Sequence, residues 1–277
     1  MTVLILLCVY PFYYIIIYSF SNPKLADIHN VFLFPVGFSL YTYLGIFKLN
    51  DISSAFVVSL SRAVLGMAIT VVCSSFFAFL VTKKEMYFRK IVYRIVVASM
   101  YLNAGLIPWY LTMKFYGLKD NFLLYIIPGA VGAFYVILVK VYIEQLPSEL
   151  EESAKIDGAG ILTVFFRILF PISKPIIATI AVYSVVAGWN SWVDNYFLVS
   201  NEHLNTLQLL LYTYLTQAEL QMASSAKAMN INTNVVQLTS TSIKMCITVI
   251  ATVPILFAYP FLQRYFVKGI MMGAVKG

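Results

Sequence analysis

Charge is what this chain has least of. Of its 277 residues, 11% are Asp, Glu, Lys or Arg and 61% are hydrophobic. A soluble domain of ordinary composition is about 25% charged. The chain therefore lacks the polar groups to cover a water-facing surface, and lipid must cover part of it. The mean hydropathy of +0.84 agrees. Acids are scarcer still, 12 against 19 Lys and Arg, for a net charge of +7. Such an excess can mark a nucleic-acid surface, but the placement of the charges argues for a membrane-topology signal instead.

Chemistry-bearing residues are also few. The two histidines, His29 and His203, stand far apart with no Cys or HExxH neighbour, so no metal site is expected. Cys8, Cys73 and Cys246 sit in separate apolar runs without a CxxC pair, which leaves packing as their reading. GxxxxGK[ST] does not occur, the "GAG" at 158 is no GxGxxG, and no G-x-S-x-G elbow surrounds a serine. No catalytic residue is assigned, and an intramembrane enzyme, which needs a paired nucleophile and base or metal ligands, finds no support.

What the chain does have is long hydrophobic runs. About 20 apolar residues cross a hydrocarbon core of about 30 Å. Six runs qualify, near residues 3–20, 53–82, 91–113, 122–143, 176–199 and 243–266. The first, rich in Tyr and without a basic n-region or cleavage site, does not read as a signal peptide. The expected fold is all-α, a single polytopic domain of six transmembrane helices over residues 1–277. Twelve Lys and Arg fall on one set of connections, including Lys83, Lys84, Arg89, Lys90, Arg94, Lys140 and Lys155. Seven, among them Lys24, Lys48, Arg62 and Lys114, fall on the other. The positive-inside rule then puts both termini in the cytoplasm.

That topology makes residues 144–175 the longest cytoplasmic loop. Pro147 ends the fourth span, and Ser148 with Glu151 reads as a capping box opening a new helix. Glu149, Glu151 and Glu152 lie near the positive end of its dipole, and Glu151 with Lys155 forms an i, i+4 pair. Leu150, Ala154 and Asp157 share one side. Gly158 and Gly160 end the helix, "ILTVFFRILF" restarts one, and Pro171 and Pro175 turn the chain into the fifth span. A helix–turn–helix held at the membrane surface results. Amphipathicity alone would account for an interfacial helix pair, but not for an acidic stretch on the basic face.

Glu152-Ser153-Ala154, three residues, Gly158, nine residues, then Ile168 and Pro171 resembles the EAA signature of permease subunits of bacterial ABC importers, E-A-A-x-x-x-G, nine residues, I-x-L-P. Ser153 replaces Ala and Phe170 replaces Leu; the spacing is met in full. "GWNSWVDNYFLV" at 188–199 resembles the Trp-Asn segment of carbohydrate permeases. The ending "YPFLQRYFVKGIMMGAVKG" is similar to that of the smaller maltose-type subunit, and "YPFYYIIIYSFSNP" points to the lipoprotein-linked polysaccharide permease branch. Family members usually carry a short cytoplasmic segment before the first span. Here Met1 nearly begins it, so a shortened start is an expectation.

The resemblance implies an oligosaccharide importer of the bacterial cytoplasmic membrane. Its partners would be a second homologous permease subunit, two cytoplasmic ATPase subunits, an extracytoplasmic sugar-binding protein and membrane lipid, with no nucleic acid. The chain would hold no cofactor, ATP being bound by the partner ATPase. Glu152 would pair with a basic group on the ATPase, with Ser153 beside it, and Ala154 would fit a tight contact. Gly158 would make the turn, and Ile168 with Pro171 would anchor the second helix. The tail at 267–277 resembles tails that reach the ATPase interface, or is a basic end near anionic lipid.

The substrate path is sought among polar residues within spans. Asn103 lies beside Gly105 and Pro108, where a broken helix would expose backbone. Asn190, Trp192, Asp194 and Asn195 cluster in the fifth span, and Gln237, Thr239 and Ser242 precede the sixth. Aromatic belts and helix-bridging amides account for the same residues. Apolar periodicity predicts a helix within the external loop 200–241, either a docking surface for a binding protein or a lid on the bundle. An ion-coupled secondary transporter is the alternative, and the want of visible repeats and buried acids speaks against it.

Overall fold

A computed structural model describes residues 1–28, 31–48, 50–225 and 241–256 of the protein, apart from some side chains at their edges. Every regular element among the described residues is helical. They form two compact units, Met1–Val58 with Asn201–Phe257, and Ser59–Ser200. The boundary falls inside one long helix. Gln237, Thr239, the end of the sixth expected span and the tail at 267–277 lie outside the described residues.

The first unit begins with α1 (Thr2–Ser19), matching the first expected span. Leu4, Leu6, Leu7 and Phe12 are more than half exposed, as a face covered by lipid requires. The inner end of α1 is polar and enclosed. Ser19 Oγ donates to the Ile16 carbonyl and accepts from the Tyr43 hydroxyl at 2.8 Å. Ser21 Oγ donates to Ile17 and accepts from Val36 N–H at 3.1 Å. Burial pushes the Tyr43 phenol up to about 12, so it remains a donor. Two short helices, α2 (Pro23–Ile28) and α3 (Tyr41–Lys48), carry this connection. Proline at the first position of α2 suits a turn that has no use for its N–H.

The second unit is built on α4 (Asn50–Thr82), a 33-residue helix about 50 Å long that covers the second expected span. Among the described residues, only its Ile52–Thr82 stretch is by itself long and apolar enough to cross a membrane. The other expected spans of this unit are interrupted. The third divides into α5 (Arg89–Ser99) and α6 (Leu106–Phe115). Between them Gly105 takes φ 82°, which suits a residue without Cβ, and the Asn103 side chain accepts from its N–H at 2.9 Å.

The fourth is helical only as a 3-10 turn at Phe122–Tyr125 and as α7 (Ala133–Ile143). Pro128, Gly129 and Gly132 unwind the intervening stretch, whose backbone then needs partners. They come from α4. Thr70 Oγ1 donates to the Gly129 carbonyl at 2.8 Å, and Ser74 Oγ donates to Ala130 and accepts from Gly132 N–H at 3.1 Å.

The coupling loop supplies α8 (Glu149–Ile156) and α9 (Ile161–Ile172). α9 meets α10 (Lys174–Asn190) at 84°, with a buried Ser173 at the corner. α10 stops at Ser191, in extended conformation, and α11 (Val193–Leu198) resumes. Back in the first unit, α12 (Leu207–Ser225) occupies the external segment expected to be helical, and α13 (Thr241–Leu256) begins the sixth span. Cys246 of α13 donates its S–H to the Ser19 carbonyl at 3.4 Å, a packing role as expected of it.

Replacing Thr70 by valine and Ser74 by alanine removes both donors without adding bulk to the buried Ser74 site. Each orphaned carbonyl should cost about 1–3 kcal/mol. A clear fall in detergent melting temperature is expected, and an unchanged one would show the unwound stretch to be satisfied otherwise.

Candidate coupling site and substrate path

The core of the second unit decides how α8 and α9 are held. Val71, Ala78 and Phe79 of α4 pack with Val136, Val139 and Ile143 of α7 and Ile180 of α10. Phe165 of α9 inserts here, its ring 5.1 Å from Phe76 and 5.4 Å from Phe79. Phe165, Val164 and Leu169 all point inward because Val164–Leu169 is wound as a π-helix, which widens the apolar face. Ile168 and Phe170 pack at the edge of the same cluster and Pro171 is half-buried.

α8 opens differently from expectation. Ser148 makes no side-chain cap, and its dihedrals are already helical. Glu151 does not reach back to it because Lys83, at the end of α4, takes its carboxylate. Nor does Lys155 pair with Glu151; it reaches Glu85 at 2.8 Å. The acidic stretch thus answers the basic end of α4 within the same chain. Lys83 also lies 4.0 Å from the centre of the Phe79 ring. Burial pushes its ammonium below the ordinary range, an effect Glu151 partly offsets. Beneath this strap a cavity of about 410 Å³ opens between Phe79, Met86, Ala159 and Val164. α8 is held by two ion pairs and one small side chain rather than by a continuous apolar face.

That side chain is Ala154. It is buried in the chain's own core, with Leu150 half-buried on the same side, while Asp157 caps the helix in solvent. Ala154 therefore faces inward and not toward an outside partner. Gly158 has φ 77° and a Cβ there would meet nothing within 4 Å, so the glycine answers backbone geometry alone. Gly160 does not share its role; with φ −69° and ψ 162° it opens α9. The outward surface is Glu152, Ser153, Asp157 and Gly158 with three apolar side chains, Ile156, Ile161 and Leu162. Ile156 is 86% exposed. The spacing pattern did not single these three out. Apolar residues flanking a polar turn were the available signal.

The path candidates separate in the structure. Asn103 lies in the exposed break between α5 and α6, and Asn190 is exposed at the end of α10. Trp192 is half-buried, edge-on to Tyr196 at 6.1 Å. Asn195 is fully buried and Asp194 nearly so. Ser242 is buried within α13, and its hydroxyl meets no partner among the described residues. α11 packs on α6, and the Asp120 N–H donates to the Leu198 carbonyl at 3.0 Å. The segments that follow the two breaks are thereby joined. Asp194 is held by Arg62, which belongs to α4 and not to a loop as the charge count had it. The guanidinium is 5% exposed and grips both carboxylate oxygens, with Nη1 at 3.1 Å from Oδ1. Removing one partner of a buried pair costs about 3–5 kcal/mol. Among the described residues no group of His, Cys, Asp and Glu is placed to hold a metal ion.

Residues 67–272 match the family of binding-protein-dependent transport system inner membrane components. The chain belongs to that family. It is a membrane permease component, 35% identical over 272 residues to the polygalacturonan/rhamnogalacturonan transport system permease protein YtcP of Bacillus subtilis (strain 168), covering 98% of this chain and 94% of that one. Protein LplC of the same organism is 36% identical over 269 residues, 96% and 89% of the two chains. A chain from the crystal structure of a bacterial ABC transporter involved in the import of the acidic polysaccharide alginate superposes with TM-score 0.84 at 25% identity, over 96% of this permease and 93% of that chain. The ABC permease fold, all-helical and polytopic, is therefore the fold of this chain.

Lys83→Met leaves Glu151 unpaired and should destabilise the permease by about 1–3 kcal/mol. Lys155→Met breaks an exposed pair and should fall within about 1 kcal/mol of wild type; equal effects would refute the difference drawn between them. The Lys155 ammonium, donating to Glu85, holds that carboxyl below its ordinary value of 4.5. A depressed carboxyl stabilises above the ordinary value and loses its effect as pH falls through the lowered one. Amide protection in Glu149–Ile156, taken relative to the intrinsic exchange rate at each pH, should accordingly fall only as pH drops below 4.5, and should not fall there in Lys155→Met.

Proposed function

We propose that this permease is one of two homologous transmembrane subunits of an ATP-driven importer. Its substrate would be an oligosaccharide, cut from a larger polysaccharide and delivered by an extracytoplasmic binding protein. The chain acts as one six-span permease domain in bacterial cytoplasmic membrane lipid, with both termini in the cytoplasm. ATP is bound and hydrolysed by two partner ATPase subunits, and this chain contributes neither catalysis nor a cofactor.

The observation that carries the reading is the mounting of α8. Glu152 and Ser153 face out, beside a Gly158 turn with open space around it, while Glu151, Ala154 and Phe165 tie the helix pair inward to α4. A helix exposed on one side and fastened on the other transmits a push. Glu152 meets a basic group of the ATPase, with Ile156, Ile161 and Leu162 completing an apolar contact. Ile168 and Pro171 pass the movement to α10 through the 84° corner. Asn103, Asn190 and Trp192 line the sugar path, where amides serve hydroxyls and the indole serves the apolar face of a ring. Ion-coupled transport gains nothing from the geometry, since Asp194 is locked by a fixed cation.

Purification of the tagged permease from native membranes in mild detergent should bring a second permease and an ATPase. Glu152→Lys should lose the ATPase and keep the permease. Recovery of this chain alone from wild type would defeat the importer reading. Gly158→Leu costs only the backbone strain of a left-handed residue, about 1–2 kcal/mol. It should insert normally yet uncouple ATP hydrolysis from uptake, and normal uptake would remove the turn from the coupling joint.

A further inference from the structure

Arg62 and Asp194 lie outside both the coupling surface and the exposed path residues, yet they meet where the fifth span breaks. In an unbroken helix the Ser191 carbonyl would accept from the N–H of Asn195, four residues on. That N–H is taken instead by Asp194 Oδ1 at 3.0 Å. The Ser191 carbonyl is left free, and Arg62 Nη1 donates to it at 3.2 Å. The Ser191 hydroxyl donates to Asp194 Oδ1 at 3.3 Å, closing the cluster. The Tyr125 ring lies 4.5 Å from the guanidinium carbon. Gly188 of α10 faces the same part of α4, where a Cβ would make ordinary van der Waals contact with Ala63 Cα at 3.4 Å and the Arg62 carbonyl at 3.9 Å.

We propose that Arg62 is a positioning residue for the substrate path. Through Asp194 and the Ser191 carbonyl it fixes the break in the fifth span and so sets how Asn190 and Trp192 are presented. The role needs a fork. One guanidinium answers both carboxylate oxygens and a carbonyl, whereas a lysine ammonium is a single point charge on a flexible stem. It also needs neutrality, since an unpaired cation would not be tolerated in this enclosed part of a spanning helix. The inference rests on the importer reading for what the path carries, but the geometry of the brace does not depend on the sugar.

The test uses the assembled importer in lipid vesicles, with Cys8, Cys73 and Cys246 replaced by alanine and Asn190→Cys as reporter. Two readings are taken: the rate of labelling by a membrane-impermeant maleimide with Asn190→Cys in place, and, with Asn190 retained, uptake of a radiolabelled polygalacturonan digest per ATP hydrolysed. Arg62→Lys should assemble, change the labelling rate about tenfold and lower uptake per ATP by a similar factor, less than the roughly hundredfold that misplacing a reacting group by about 1 Å can cost. The neutral pair Arg62→Met with Asp194→Leu removes both charges and fills their volume. It leaves the Asn195 N–H and the Ser191 carbonyl to close on each other as in an unbroken helix, so it should assemble and show the same two changes, and it decides the matter if Arg62→Lys fails to assemble. Wild-type labelling and uptake per ATP in the neutral pair would overturn the proposal, reducing Arg62 and Asp194 to a structural pair. Absence of uptake in the unmutated importer would count against the substrate reading alone, and the labelling rates would still decide the brace.

Discussion

A backbone N–H or C=O left without a partner in hydrocarbon costs several kcal/mol, and among the described residues three of the expected spans are interrupted. Two of the interruptions are answered from one helix. Thr70 and Ser74 of α4 serve the unwound stretch before α7, and Arg62 of α4 serves the break after α10. The third, at Asn103–Gly105, is answered locally by an asparagine side chain folding onto its own backbone. The long apolar helix is therefore also a polar spine. Three of its hydrophilic side chains, Arg62, Thr70 and Ser74, are placed where other helices cease to be self-sufficient.

The same helix ends at the coupling pair. Lys83 closes α4 on Glu151, Phe79 receives Phe165, and Ala78 belongs to the cluster in which Ala154 is buried. The helix pair α8 and α9 and the supported break of the fifth span thus rest on one helix, the first at its end and the second on its interior. From Arg62 to Thr82 it runs twenty residues, about 30 Å. A rigid element of that length carries a displacement without loss, while the breaks supply places where the bundle can yield. Continuity in α4 and interruption in the helices packed on it are complementary features of the bundle.

Much of this was legible beforehand. Low charge and long apolar runs fixed a helical membrane class, because only lipid can cover such a surface. The Glu152 to Pro171 spacing falls on the helix pair α8 and α9, and the first two expected spans coincide with α1 and α4. Gly158 was readable as a turn because few other residues accept a left-handed backbone. Partners were misread. The Ser148–Glu151 cap and the Glu151–Lys155 pair are sound local expectations that lost to Lys83 and Glu85, residues about seventy positions away whose charges the fold brings within reach.

Sequence by itself determined which segments are apolar, which carry the positive charge, and where glycine and proline forbid a continuous helix, since these depend on residue type and on neighbours within a turn or two. Tertiary structure alone decided what each polar residue does. Asp194 looks like a substrate ligand until Arg62 is found on it, Ala154 looks like a contact for a partner until it is found in the core, and Arg62 looks like a loop charge until its helix is traced. The reason is physical: a polar group in an apolar setting is governed by whichever complementary group lies within about 3 Å, and only packing brings that group there.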